Sequence, residues 1–245
     1  NVLETLQNLA KHHREQIDIP ILGITGSNGK TTSKELIYSV LNKELNCYAT
    51  KGNLNNHIGV PLSILEINNK HQIAIIEMGA NHRNEIKDLC EISKPNYGII
   101  TNIGLAHLEG FQNLQGVIDT KNELYNFIKL NNGSLFVNND DEILVKLSKQ
   151  NKIIFYGFKS NLNATIKKNS PFVNVFWNKI NINSKLIGDY QFYNISLAIC
   201  IGNYFNISKK NIKSGIEEYT PKNNRSEIIN TQNNMLIMDA YNANP

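Results

Sequence analysis

At 245 residues, with 41% hydrophobic and 19% charged residues, the chain can bury a sizeable core as one large domain or one domain plus part of another. A formal net charge of +4 on scattered lysines excludes the concentrated basic face of a nucleic-acid binder. Apolar runs shorter than the roughly 20 residues of a membrane span, an N-terminus without a signal-peptide core, and three cysteines (Cys47, Cys90, Cys200) without CxxC spacing exclude membrane insertion, secretion, a disulfide framework and a zinc site.

A cytoplasmic protein is therefore expected. Residues 2–15 carry apolar side chains at Val2, Leu3, Leu6 and Leu9, near helical spacing, and predict a helix leading into the first strand, "DIPILGIT". After the glycine-containing segment "GITGSNGKTTSKE", the stretch "SKELIYSVLNKEL" places Leu36, Ile37, Val40 and Leu41 on one helical face. The pattern repeats: "QIAIIEMGA" reads as a buried strand, "RNEIKDLCEIS" as a helix, "YGIITNIG" as a strand and "LQGVIDTKNELYNFI" as a helix. Continuous apolar strands alternating with amphipathic helices predict an α/β fold, a mostly parallel sheet covered by helices on both faces. Farther on, "GSLFVNN" and "KIIFYGF" read as short strands, and 160–187, with "FVNVFW", as a small antiparallel patch. "YQFYNISLAICIGNYF" returns to helix, and "NMLIMDAYNANP" reads as a new strand breaking into a loop.

The chemistry concentrates in Gly26–Thr32. The segment is one residue tighter than the strict GxxxxGK[ST] phosphate loop, since Ile24 stands where the first glycine would be. The physical requirements survive. Gly26 and Gly29 let backbone N–H groups, with those of Ser27 and Asn28, approach phosphate oxygens, and the following helix adds its positive end. Lys30 supplies charge to the distal phosphates, and Thr31, followed by Thr32, a hydroxyl for Mg²⁺. A plain glycine turn with an exposed lysine is the competing reading; the strand before, the GKTT tail and the helix after favour a P-loop-type ATP-binding domain. Glu77 ends an apolar strand at the carboxyl edge where open α/β sheets bind ligands. By themselves a strand-end Glu is usually a solvated or capping residue, His107 a hydrogen-bonded structural one, and Lys121 a solvent-facing helix residue.

These residues resemble the Mur ligases, ATP-dependent amide-forming enzymes of peptidoglycan precursor synthesis that share their fold with folylpolyglutamate synthases. "KGNLNNHIGVPLSIL", "EMGANHRNEI", "TNIGLAHLEGF", "DTKNELY", "NNRSEI" and "DAYNANP" follow the order and approximate spacing of the branch that adds D-alanyl-D-alanine, across nearly the whole chain. The resemblance implies Mg²⁺ ligation by Glu77, a second Mg²⁺ site at His107, and a carbamate on Lys121, which would turn a cation into a hard oxygen ligand. It implies that Asn194 contacts adenine, that Arg225 and Asp239 touch nucleotide phosphate and ribose, and that Asn53, Asn55 and Asn56 lie near the muramoyl-peptide end of the cleft. The chain departs from the common GxHNxxN motif, with Tyr190 and Gln191 in place of His and Asn.

The implied organisation is a lead-in over 1–16, a central ATP-binding domain over 17–220 and the start of a C-terminal domain over 221–245. The implied substrates are ATP, UDP-N-acetylmuramoyl-tripeptide and D-alanyl-D-alanine, joined through an acyl phosphate. A monomer is expected, with N- and C-terminal domains outside these residues and little ligase activity without them. A sister Mur or folylpolyglutamate-type amide ligase is the near alternative, and a nucleotide-binding module without chemistry the distant one.

Overall fold

The computed structural model of the protein describes residues 1–104, 111, 113–149, 152–169, 171–222, 225 and 227–238. Helix α1 (Val2–Glu15) precedes β1 (Ile21–Thr25), which feeds α2 (Lys30–Leu41). There follow β2 (Cys47–Ala49), α3 (Gly59–Glu66), β3 (Ile73–Glu77), α4 (Glu85–Ser93) and β4 (Tyr97–Ile100). Next come α5 (Leu114–Leu130), β5 (Ser134–Asn138), α6 (Glu142–Leu147) and β6 (Lys152–Tyr156). Strands β7 (Ala164–Asn169), β8 (Phe172–Trp177) and β9 (Ile180–Ile187) lead to α7 (Gln191–Tyr204) and α8 (Lys209–Glu218), then β10 (Glu227–Asn230) and β11 (Met235–Met238).

Among the described residues, β1 to β6 form one parallel sheet in the order β2-β3-β1-β4-β5-β6. The period-2 alternation of side chains between two covered faces explains the continuous apolar runs within β1, β3 and β4. Leu22, Ile24, Ile73, Ile75, Ile99 and Phe136 face a core shared with α2, α7 and α8. Their neighbours Ile21, Ala74, Ile76, Ile100, Leu135 and Val137 face a second core with α1, α3, α4 and α5. The order of strands switches sides at β1: β2 and β3 lie on one side of it, and β4 to β6 on the other. That switch point opens a crevice beyond the carboxyl ends of β1, β3 and β4.

The expected antiparallel patch is the three-stranded sheet β7-β8-β9, and its Trp177, Val175 and Ile182 join the core of α7. Helix α1 differs from its sequence reading. Val2 is 89% and Leu9 54% exposed, whereas Ala10 and Arg14 are buried, because the buried stripe runs through Leu3, Leu6, Ala10 and Arg14. Arg14 is held there by carbonyls: its guanidinium donates to Ser93 O, Ile17 O and Lys94 O. The strand read near the end is β11, and its neighbour is β10 in an antiparallel ribbon, so no crossover is needed. All three cysteines are free and buried, as their spacing implied. No helix among the described residues is long and apolar enough to cross a membrane.

Helix α7 is buried almost all round, between the main sheet and β8. Ile199→Ala there should cost about 2–5 kcal/mol by cavity formation. Urea unfolding followed through Trp177, the single tryptophan and fully buried, measures it.

Candidate functional site

The crevice at the switch point is a cleft of about 1440 Å³. Its wall is made from the ends of β1, β3 and β4, the start of α2, the middle of α5 and the start of α7. Ser27, Asn28, Gly29, Lys30, Thr31, Thr32, Glu77, Lys121, Asn194 and Arg225, read from sequence as one site, all line it, as do Asn55 and Asn56. Asn53 stands outside this lining, exposed in the turn, where its carbonyl accepts from Asn55 N at 2.7 Å. His107 and Asp239 lie outside the described residues.

The phosphate loop is held from beneath by the residues after β4. Asn102 O accepts from Ser27 N at 3.0 Å, and the Asn102 side chain accepts from Asn28 N at 3.0 Å and donates to Asn28 O at 2.9 Å. Thr101 Oγ1 also donates to Asn28 O at 2.6 Å, and the Ser27 hydroxyl bridges both backbone groups of Gly104. Two glycines permit the path. Gly26 has φ +144° and would place a Cβ 2.0 Å from Thr101 Oγ1; Gly29 has φ +76° and would place one 3.1 Å from Asn194 Oδ1. Gly29 is also the N-cap of α2, and with no side chain capping it the first-turn amides remain directed at the loop.

Lys30 folds over this loop, donating to Gly26 O at 2.8 Å and Ser27 O at 3.1 Å. Burial pushes its amine below the ordinary value, while Glu77 pulls it up and Arg225 adds a further downward push. Lysine and arginine thus bring two positive charges to the mouth of an amide-rich loop, an arrangement suited to a polyanion.

Glu77 is 1% exposed. Its Oε1 accepts from Thr31 Oγ1 at 3.2 Å and Asn55 Nδ2 at 2.8 Å. Its backbone N–H donates to Thr50 Oγ1 at 3.0 Å. Oε2 takes no hydrogen bond among the described residues, with Lys34 Nζ 3.7 Å away. An unfilled carboxylate oxygen beside a hydroxyl fits Mg²⁺, a hard cation that takes oxygen ligands and keeps phosphate and water in its remaining positions. No group of three or more His, Cys, Asp or Glu able to hold a metal occurs among the described residues.

Lys121, by default a solvated helix residue, is 3% exposed on the cleft wall, its ammonium 5.6 Å from the Phe111 ring centre. No salt bridge reaches it among the described residues. Burial and, secondarily, Lys30 push its pKa down to about 7, against smaller upward pulls from Glu123 and Glu85. At the far end, Asn194 Oδ1 accepts from Ser33 Oγ at 2.8 Å and Nδ2 donates to Gln191 Oε1 at 2.6 Å. Asn56 Oδ1 accepts from Ile58 N and Gly59 N, so it caps α3 while facing the cleft.

Lys34, Ser33, Thr101 and Asn102 were not singled out from sequence. The "TNIG" segment was visible as a motif, but only the structure shows that it braces the loop. For Lys34 the signal was its place one turn after Lys30, on the helical face of Ile37 and Leu41.

A sequence model of the family described as "Mur ligase middle domain" matches residues 24–202. The chain belongs to the Mur ligase family. The UDP-N-acetylmuramoyl-tripeptide–D-alanyl-D-alanine ligase of Bacillus subtilis is 31% identical over all of the chain and 54% of its own length. Among Mur ligase structures, MurF of Acinetobacter baumannii superposes with a TM-score of 0.91 at 31% identity, covering 99% of this chain and 55% of that one. MurF of Thermotoga maritima in complex with ADP gives 0.86 at 26% identity, covering 99% and 58%. The chain therefore spans about half the length of the Mur ligases it matches.

Gly29→Ala should destabilise the domain by about 1–2 kcal/mol, the cost of a left-handed conformation for a residue with a Cβ. Its Cβ also presses on Asn194. Urea titration with unchanged far-ultraviolet circular dichroism would show it.

Proposed function

We propose that this chain is the ATP-binding catalytic middle domain of a ligase that adds D-alanyl-D-alanine to UDP-N-acetylmuramoyl-tripeptide in the cytoplasm. Residues 17–220 form the nucleotide-binding unit, 1–16 lead into it and 221–245 open the next domain. The observation that carries the reading is the shared cleft: a phosphate loop, a buried carboxylate with one oxygen unbonded among the described residues, and a buried lysine line one cavity in a chain matched end to end by such a ligase.

Joining a carboxylate to an amine requires a better leaving group than oxide, and ATP supplies it. The tripeptide carboxylate oxygen attacks the γ-phosphorus and ADP leaves. The dipeptide amine then attacks the resulting acyl phosphate at its carbonyl carbon, and phosphate leaves with the amine losing a proton. Each step brings anions together, so positioning and charge neutralisation are the catalytic work. Amides of Gly29 to Thr32 hold the phosphates while those of Ser27 and Asn28, bonded to Asn102, fix the loop that presents them; Lys30 swings from its loop carbonyls to the distal phosphates, and Arg225 adds charge at the same mouth. Thr31 and Glu77 would hold Mg²⁺, which screens phosphate charge when bound. Asn194 meets the adenine edge, for which a side-chain amide offers donor and acceptor, with Asp239 at the ribose. Asn55 and Asn56 face the muramoyl-peptide end, and Asn53 contributes through the backbone of the same turn.

Lys121 is suited to carbamate formation, in which its neutral amine nitrogen bonds the carbon of CO₂ and releases a proton. Its burial, with no salt bridge among the described residues, pushes its pKa down to about 7, so a substantial fraction of the amine is neutral near pH 7. The product is an anion that, with His107, would serve a second Mg²⁺. Supplied with ¹³C-bicarbonate, the parent should show a carbamate carbon resonance that Lys121→Ala lacks; identical spectra would remove the carbamate.

Mg-ATP at about 100 times its Kd should add roughly 2.7 kcal/mol to stability, a rise in Tm of roughly 5–10 °C for a domain of this size. Lys30→Ala should abolish most of that rise while leaving the Tm without nucleotide within a few degrees. An equal rise in both would remove the phosphate loop from nucleotide binding.

A further inference from the structure

Lys34 is the most completely buried charge in the described structure, with a fully covered side chain, and nothing in the reading above uses it. It lies one turn beyond Lys30 in α2. Lys34 donates to Thr50 O at 2.6 Å and Gly52 O at 3.0 Å, and forms an ion pair with Glu35 Oε1 at 3.0 Å. Glu77 Oε2 lies 3.7 Å away, inside ion-pair range and outside hydrogen-bond range.

The consequence is electrostatic and mechanical at once. Removing an ammonium from water is costly, and such a charge is kept where partners surround it. Here its positive charge stands beside the buried Glu77 side chain without occupying the lone pairs of Oε2. Its bonds to Thr50 and Gly52 anchor the start of the turn from which Asn55 reaches Glu77 Oε1 at 2.8 Å, and Thr50 Oγ1 accepts from Glu77 N at 3.0 Å. Both oxygens of Glu77 are therefore set by Lys34, one directly and one through the 50–55 turn.

We propose that Lys34 is a positioning residue that presents Glu77 Oε2 to the divalent cation accompanying the nucleotide, and ties that carboxylate to the turn of Asn55 and Asn56. The inference rests on the nucleotide-binding reading above. It separates Lys34 from Lys30: Lys30 acts on phosphate directly, Lys34 only through Glu77.

The test is isothermal titration calorimetry of ADP into the parent, Lys34→Met and Lys34→Gln, each in MgCl₂ and in EDTA. Met removes the charge and the donors. Gln removes the charge but keeps an amide that can donate to Thr50 O or Gly52 O, which protects the fold. In the parent, Mg²⁺ should tighten ADP binding. Both variants should lose at least tenfold of that tightening, while affinity in EDTA stays within twofold of the parent. If the variants fold and keep the parent's dependence on Mg²⁺, or show a stronger one, the proposal is overturned. Equal losses in MgCl₂ and EDTA, or failure of both variants to fold, would make Lys34 a purely structural residue and overturn it too. A parent that binds ADP in neither condition would instead overturn the nucleotide reading, and this proposal with it.

Discussion

A carboxylate at the end of a central parallel strand, shut away from water, is the constraint around which the site is built. A carboxylate taken out of water needs donors and positive charge in place of its hydration. The surroundings meet that demand unevenly: Thr31 and Asn55 both serve Oε1, and Lys34 stands near Oε2 without bonding it. Three segments far apart in sequence are thereby fixed to one side chain: the start of α2, the turn after β2 and the end of β3. Changing the length of any one would misplace the others.

The same edge explains why the phosphate loop needs its neighbour on the other side. A tight loop ending in an uncapped helix is a set of backbone donors with few partners of its own. Here the segment after β4 supplies them, through Asn102 and Thr101 on Asn28 and Gly104 on Ser27. The loop is thus held open before any phosphate arrives, and the ordering cost of binding falls on Lys30 and Arg225 rather than on the backbone.

Strand and helix order was legible because buried parallel strands and amphipathic helices carry strong, long signals, as in "QIAIIEMGA" and "SKELIYSVL". The short strands β5, β6 and β8 were legible too, but β2 and α3 were not. β2 has three residues, and α3 carries Pro61 in its first turn and a nearly uniform apolar composition, which gives no face to read. Helix α1 was found as a helix but with the wrong face, since its burial is completed by Arg14, which pairs with carbonyls and so breaks the apolar stripe. In the site, residue types declared the loop, because glycine, lysine and threonine at that spacing have few other uses. Burial declared the rest. Residue type does not distinguish the buried Lys121 and Lys34 from exposed lysines elsewhere; for Lys34 the one signal is its place on the apolar face of Ile37 and Leu41.

The departure at Tyr190 and Gln191 shows what a motif match leaves open. Gln191 is 4% exposed, and its carbonyl accepts from Asn194 Nδ2, while Ser33 Oγ donates to Asn194 Oδ1. These two bonds fix which end of the Asn194 amide faces which way. Each of its polar atoms keeps spare capacity, one hydrogen on Nδ2 and one lone pair on Oδ1, which is what a base edge with adjacent donor and acceptor needs. Gln191 therefore does by reach what a shorter amide would do by proximity. Because Ser33 belongs to α2 and Gly29 leaves little room for a Cβ against Asn194, the residue proposed for the nucleoside end is packed directly onto the helix proposed to receive the phosphates. On that reading base and phosphate contacts share one frame, so a shift of α2 that loosens one must loosen the other.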